Sequence, residues 1–274
     1  MVTTSGAMFP RRVYPLSLRN LTEEQLAVVF AMTSRRPEPF DEIAKQVNVE
    51  KSADFHERWV LGYGHASVAE HAIIHMAVEN ISRLACDVLE DNRLASYTEK
   101  SSRFQVLADG YYHLPSEVEK FEEARTIYVD TCDYLFTAYS EMMSKSLRFL
   151  ESVRSKERDE TGPAYNLRLK REAIDSCRFL LPTATLTNVG VTMNARVLEH
   201  AIAKLLSGEL EEERELGETL KAQGKQITPT LIKYADQNEY LVSVRKRLGD
   251  YVPGFDINPV TPSNNDIMPN CDAS

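Results

Sequence analysis

Between residues 93 and 106 the chain reads RLASYTEKSSRFQV, placing Ser96, Tyr97, Thr98, Glu99, Lys100, Ser101 and Ser102 between Arg93 and Arg103. A guanidinium offers a planar fork of donors and each serine a hydroxyl, a combination that suits an oxyanion such as a phosphate ester. The same composition also describes a solvated surface turn, and this stretch alone leaves both readings open. Other polar groups stand in short runs: His65, Ser67, Glu70 and His71 follow Gly62 and Gly64, Arg178 precedes Pro182, and Asn194, Arg196 and His200 open a later helical pattern. Each has a purely structural counterpart. His65 and His71 can satisfy helix-turn carbonyls, Arg178 and Arg196 can be solvated cations, and Asn194 can cap a helix.

These residues need a scaffold, and the 274-residue chain, 43% hydrophobic, is long enough for one large domain or two small ones. With 41 acidic against 32 basic residues its formal charge is −9, which argues against coating a nucleic-acid polymer. A phosphate must therefore be held locally. No run reaches the roughly 18–20 apolar residues of a membrane span, and residues 1–10 lack a secretion signal, so no membrane partner and a cytoplasmic location are expected. Cys86, Cys132, Cys177 and Cys271 form no CxxC pair, so neither a disulfide framework nor a metal site is expected, and the first three read as core thiols.

Thr22 with Gln25 resembles a capping box opening a helix over about 22–35, and a second helical stretch covers about 40–61. Residues 73–78, IIHMAV, read as a buried strand carrying His75 on the structural phase, with helix resuming from Ile81. Residues 93–106 read as a loop that turns β-like at Phe104 and Val106. From Pro115 apolar residues recur at three- and four-residue steps, predicting a helix of about 30 residues and roughly 45 Å, long enough to meet another subunit. Further helices are predicted over about 164–179, 194–206 and 209–224. Residues 1–248 form the expected domain, and 249–274, with Pro253, Pro259, Pro262 and Pro269, an irregular tail or linker.

Five ordered blocks resemble the flavin-dependent thymidylate synthase family. Residues 64–71, GHASVAEH, look like its Gly-His-x-Ser-x-x-Glu-His segment, and 81–86, ISRLAC, like its Ile-Ser-Arg-Ala-Cys run. Arg93, Ser96, Ser101 and Arg103 are similar in register to its signature, while RFLLP at 178–182 and MNAR at 193–196 resemble two later elements. The resemblance implies an α+β fold with a small central antiparallel sheet and long helices, assembled as a homotetramer whose sites draw on several subunits. It implies FAD as cofactor, NADPH and methylenetetrahydrofolate as co-substrates, and a nucleotide monophosphate as substrate. Ser101, Arg103 and Arg178 match phosphate-holding positions, Arg178 from a neighbouring subunit, and Ser101 and Arg178 are the implied catalytic pair. Glu99 and Ser102 belong to the same loop. His65, Ser67, Glu70, His71, Arg93, Asn194, Arg196 and His200 match flavin-pocket positions, and Arg83 is read as structural.

The chain also departs from the family pattern. Where the family has a His-Gln pair and an Arg-His-Arg opening, this sequence has Asp87, Val88, Asp91, Asn92 and Arg93, and Asp91 changes local charge by two units. Leu205 stands where the family places an arginine that stabilises the ionised pyrimidine, a loss worth roughly 10²- to 10³-fold in rate. Lys204 is adjacent but points about 100° away on a helix. The expected activity is reductive C5-methylation of a uridylate, dUMP or UMP, in nucleotide biosynthesis. The competing expectation is a degenerate subunit that binds FAD or nucleotide and partners a competent paralogue.

Overall fold

The computed structural model describes residue 16 and residues 21–251. A three-stranded antiparallel sheet lies at its centre in the order β1-β3-β2, formed by β1 (Ile73–Ser82), β2 (Ala95–Glu99) and β3 (Leu186–Asn194). The middle strand follows a period of two: Thr187, Val189, Val191 and Met193 are buried and the residues between them are more open, as a strand with one covered face requires. Near its end β1 carries an irregularity between Val78 and Ile81, where Asn80 adopts φ 59°. The Asn80 N–H donates to Asn188 Oδ1 at 3.0 Å, which ties the irregular turn to the middle strand.

The helices pack round this sheet. α1 (Glu23–Thr33) starts at the expected capping box, Gln25 N–H donating to Thr22 Oγ1 at 3.2 Å and Thr22 N–H to Gln25 Oε1 at 2.8 Å. The helical stretch expected over 40–61 is broken instead into α2 (Phe40–Gln46), α3 (Val49–Phe55) and a π-helical turn (His56–Gly62), because Asn48 caps α3 by accepting from Lys51 N–H. A 3₁₀ turn (Ala66–His71) leads into β1. α4 (Arg83–Glu90) begins two residues later than expected, since Ser82 Oγ accepts from Ala85 N–H and fixes the cap there.

The long helix is α6 (Glu122–Val153), 32 residues preceded by the short α5 (Ser116–Glu119), and it spans about 48 Å. α7 (Gly162–Cys177) packs beside it around Tyr139, Met143, Leu169, Ala173, Ile174 and Cys177, then passes into a 3₁₀ turn (Arg178–Leu180). α8 (Ala195–Leu206) follows β3 directly, and α9 (Glu211–Gly224) packs on it; the two complete the main core with Leu198, Ala201, Ile202, Leu205, Leu216 and Leu220. The compact unit ends at Asn238, and α10 (Glu239–Tyr251) belongs to a second one. The tail anticipated beyond α10 and the start at residues 1–10 lie outside the described residues.

Two sequence expectations need correction. β2 forms inside the stretch read as a loop, pairing Ala95 with Met193 and Glu99 with Val189. Phe104 and Val106 are in no strand: Phe104 N–H bonds back to Ser101 O at 3.3 Å in a turn, and both side chains are exposed. β3, with Asn188 and Gly190 in its middle, and α10 were not anticipated.

Candidate functional site

The polar residues singled out by sequence fall into two groups at opposite ends of β2, separated by a strand of about 15 Å. At its far end lies an arginine cradle. Lys100 N–H is held by Asn188 O at 2.8 Å, and Arg103 N–H donates to Ser101 Oγ at 3.2 Å, so Ser101 and half-buried Ser102 open a closed turn. The Arg103 side chain reaches α7, its Nε 3.4 Å from Asp175 Oδ1. Arg178 Nε approaches the same oxygen at 2.9 Å, so the two guanidiniums converge within one chain, whereas the resemblance implied Arg178 from a neighbour. One turn earlier on α7, Arg171 lies over the Phe104 ring at 4.9 Å and fastens the loop from its other side. Glu99 does not join this cradle: its carboxylate accepts from Thr187 Oγ1 at 2.8 Å and pairs with Arg83 at 3.3 Å, which makes Arg83 the structural residue it was read to be.

At the near end of β2 a hollow of about 940 Å³ is lined by Glu70, Arg93, Asn194, Arg196 and His200, with Asp91 and Asn92 beside them. β3 and the start of α8 supply one wall, since Asn194 is both the last strand residue and the helix cap, its Oδ1 accepting from Val197 N–H at 3.0 Å. The capping alternative for Asn194 is therefore realised in a residue that also lines the hollow. Arg196 Nη1 pairs with Glu70 Oε1 at 2.5 Å. Asn92 is buried, its Nδ2 donating to Leu89 O at 2.7 Å while Oδ1 is a buried acceptor without a partner.

His65, Ser67 and His71 line a different and smaller hollow of about 350 Å³, among Phe30, Phe55 and Trp59, and Glu70 borders both. His71 stacks on Phe30 with ring centroids 4.7 Å apart, and Arg35 sits over Trp59 at 4.6 Å. The residues expected to form one flavin set are thus divided between two hollows that meet at Glu70. His75 stays outside both and bonds Thr192 Oγ1 through Nδ1 at 2.9 Å.

The departures from the family pattern also acquire places. Leu205 is wholly buried in the main core, and Val88 packs against it. Lys204, only 14% exposed, pairs with Asp91 at 3.2 Å, so the charge that Asp91 brings to the rim of the larger hollow is offset by its helical neighbour. Neither that pairing nor the role of Asp175 was legible in the sequence, because the partners lie 113 and 72 positions apart. Burial, with Glu90 nearby, pushes the Cys86 thiol up to about 12, which disfavours the thiolate a nucleophile needs. Among the described residues no helix is long and apolar enough to cross a membrane.

A small antiparallel sheet wrapped by long helices, with an arginine cradle at one end of an edge strand and a large polar hollow at the other, defines an α+β ligand-binding protein. The family described as thymidylate synthase complementing protein matches residues 17–230, and the chain belongs to it. A UPF0159 protein of Chlamydia muridarum is 32% identical over 200 residues, covering 71% of this chain and 38% of its own length. Another, from Thermoplasma acidophilum, is 32% identical over 240 residues, covering 76% and 48%. A flavin-dependent thymidylate synthase of Clostridium tetani is 28% identical over 218 residues, covering 77% and 82%. The chain thus spans less than half the length of these two UPF0159 relatives. The flavin-dependent thymidylate synthase of Helicobacter pylori, crystallised with FAD and dUMP, shares the fold with a TM-score of 0.53 at 16% identity, over 79% of this chain and 96% of that one.

Proposed function

We propose that this chain binds FAD and a uridine monophosphate and carries out flavin-dependent C5-methylation of the pyrimidine, with methylenetetrahydrofolate and NADPH as co-substrates. The observation that carries this reading is the convergence of Arg103 and Arg178 beside the Ser101 turn, on a fold shared with a protein crystallised with FAD and dUMP. Two guanidiniums and a hydroxyl supply the fork donors that a terminal phosphate accepts. Ser102 belongs to the same turn, and Glu99 supports it from the sheet through Arg83.

The larger hollow fits a flavin nucleotide in size and donor set. Arg93 and Arg196 would face its diphosphate, while the buried Asn92 Oδ1 is an acceptor awaiting a donor. His65, Ser67 and His71 border the aromatic hollow beyond Glu70, where a second flat ring has room. The chemistry a flavin supplies when bound is two-electron redox transfer between the nicotinamide and the one-carbon unit. Cradle and hollow stand about 15 Å apart along β2, which supports a homotetramer in which one subunit's cradle faces another's hollow. The length of α6 supports the same assembly.

Incubating purified protein with FAD, NADPH, methylenetetrahydrofolate and labelled dUMP or UMP tests the reaction; absence of a methylated product from both substrates counts against it. One observation favours a second reading. Leu205 is wholly buried where the family pattern has an arginine, which fits a subunit that binds ligand and completes the site of a competent paralogue. A homotetramer that turns over without a partner removes that reading.

A further inference from the structure

Asp175 is one carboxylate set among three arginines. Arg103 and Arg178 approach its Oδ1 at 3.4 and 2.9 Å, so their Nε atoms lie within about 6 Å of each other, and Arg171 stands one turn away on the same face of α7. The contact is unequal in kind. Arg178 Nε, shielded from solvent, lies close to the carboxylate without the alignment of a hydrogen bond, so its N–H is a donor that a better-placed acceptor can still take. Arg103 and Asp175 are both more than half exposed, which leaves the carboxylate able to swing away.

We infer that Asp175 is a specificity-determining residue: it competes with an incoming anion for Arg103 and Arg178, so that only a dianion displaces it. This rests on the reading of Ser101, Arg103 and Arg178 as the nucleotide-phosphate cradle. The charge balance carries the inference. With Asp175 in place the converging pair of guanidiniums has a residual charge of about one, so a monoanion gains only what the carboxylate already provides. A terminal phosphate monoester, with a charge of −1.5 to −2 at neutral pH and three acceptor oxygens, gains more than the carboxylate does. The cradle therefore selects a terminal phosphate and rejects a phosphodiester, which carries one charge. The ligand class is a nucleoside monophosphate with a free phosphate end, as opposed to an internal nucleotide of a polymer.

The test is calorimetric titration at pH 8 of dUMP and of its phosphate methyl ester, a monoanion, into the wild-type protein, Asp175→Asn, Asp175→Glu and Arg103→Ala. In the wild type dUMP binds at least about tenfold more tightly than the ester, the scale set by one charge at contact distance in partly screened surroundings. Asp175→Asn tightens the ester more than dUMP and narrows the ratio to about threefold, and Asp175→Glu restores it. A ratio unchanged in Asp175→Asn, or both ligands weakening together, overturns the assignment while leaving the cradle intact. If Arg103→Ala leaves dUMP affinity unaltered, the cradle itself is misplaced and the inference falls with it. Asp175 is 56% exposed and outside the α6–α7 cluster, so the substitutions leave the fold in place.

Discussion

Glu24 joins the first helix to a segment more than two hundred residues later, and removing its side chain should loosen the whole unit. The residue is 6% exposed, and its Oε1 accepts from two backbone donors, Thr230 N–H at 2.7 Å and Leu231 N–H at 3.0 Å. Glu24→Ala deletes both bonds and leaves two buried N–H groups without an acceptor, each worth about 1–3 kcal/mol. Solvent entering the gap recovers part of this, so the expected loss is about 2–4 kcal/mol. With a urea m-value near 3 kcal/mol/M, reasonable for this chain length, the unfolding midpoint should fall by roughly 1 M with m unchanged. Glu23→Ala is the control. Glu23 accepts from Ile73 N–H at 3.1 Å in an exposed position, where water replaces it, and should cost less than about 1 kcal/mol. If urea unfolding followed by circular dichroism gave equal losses for the two variants, the buried double acceptor would not be what holds α1 to the 230–231 turn.

Burial lowers the pKa of His56, whose Nε2 bonds Glu24 O at 2.9 Å and whose Nδ1 has no partner. Its folded pKa lies below the unfolded value of about 6.5, so its contribution is complete above that pH and is lost as pH falls toward the folded value. Urea midpoints at pH 7.5 and 5.5 should differ more for the wild type than for His56→Asn; equal differences would exclude His56 as the source. Arg196→Ala should weaken FAD binding about tenfold by removing the cation that Glu70 holds at the hollow, measured by flavin fluorescence on titration. Lys204→Met should also weaken FAD several-fold by leaving the Asp91 charge unopposed, and adding Asp91→Asn should restore it; two independent, additive losses would show that the pair is not coupled.

The local elements were legible where one short-range signal decides them. The Thr22–Gln25 box, the three- and four-residue apolar spacing of α6 and the β-branched run of β1 each act over a few residues, and the structure keeps all three. Ordered motifs were enough to place the chain in its family and to pick out most of the polar residues that line the cradle and the larger hollow. β2 was missed because its residues ASYTE are polar and expose alternate side chains at a sheet edge, where only pairing with β3 makes them a strand. β3 was missed because Asn188 and Gly190 are weak strand formers that a central position tolerates.

What the sequence determined by itself was therefore residue type, helical period and motif order, all properties of neighbours along the chain. Tertiary structure alone decided which charges meet: Asp175 between Arg103 and Arg178, Asp91 with Lys204, Glu70 with Arg196. It also divided the expected flavin residues between two hollows and set the arginine cradle at the opposite end of β2. The reason is that an ion pair depends on a distance of a few ångströms in space, and side chains 72, 113 or 126 positions apart acquire that distance only when the sheet and helices have packed.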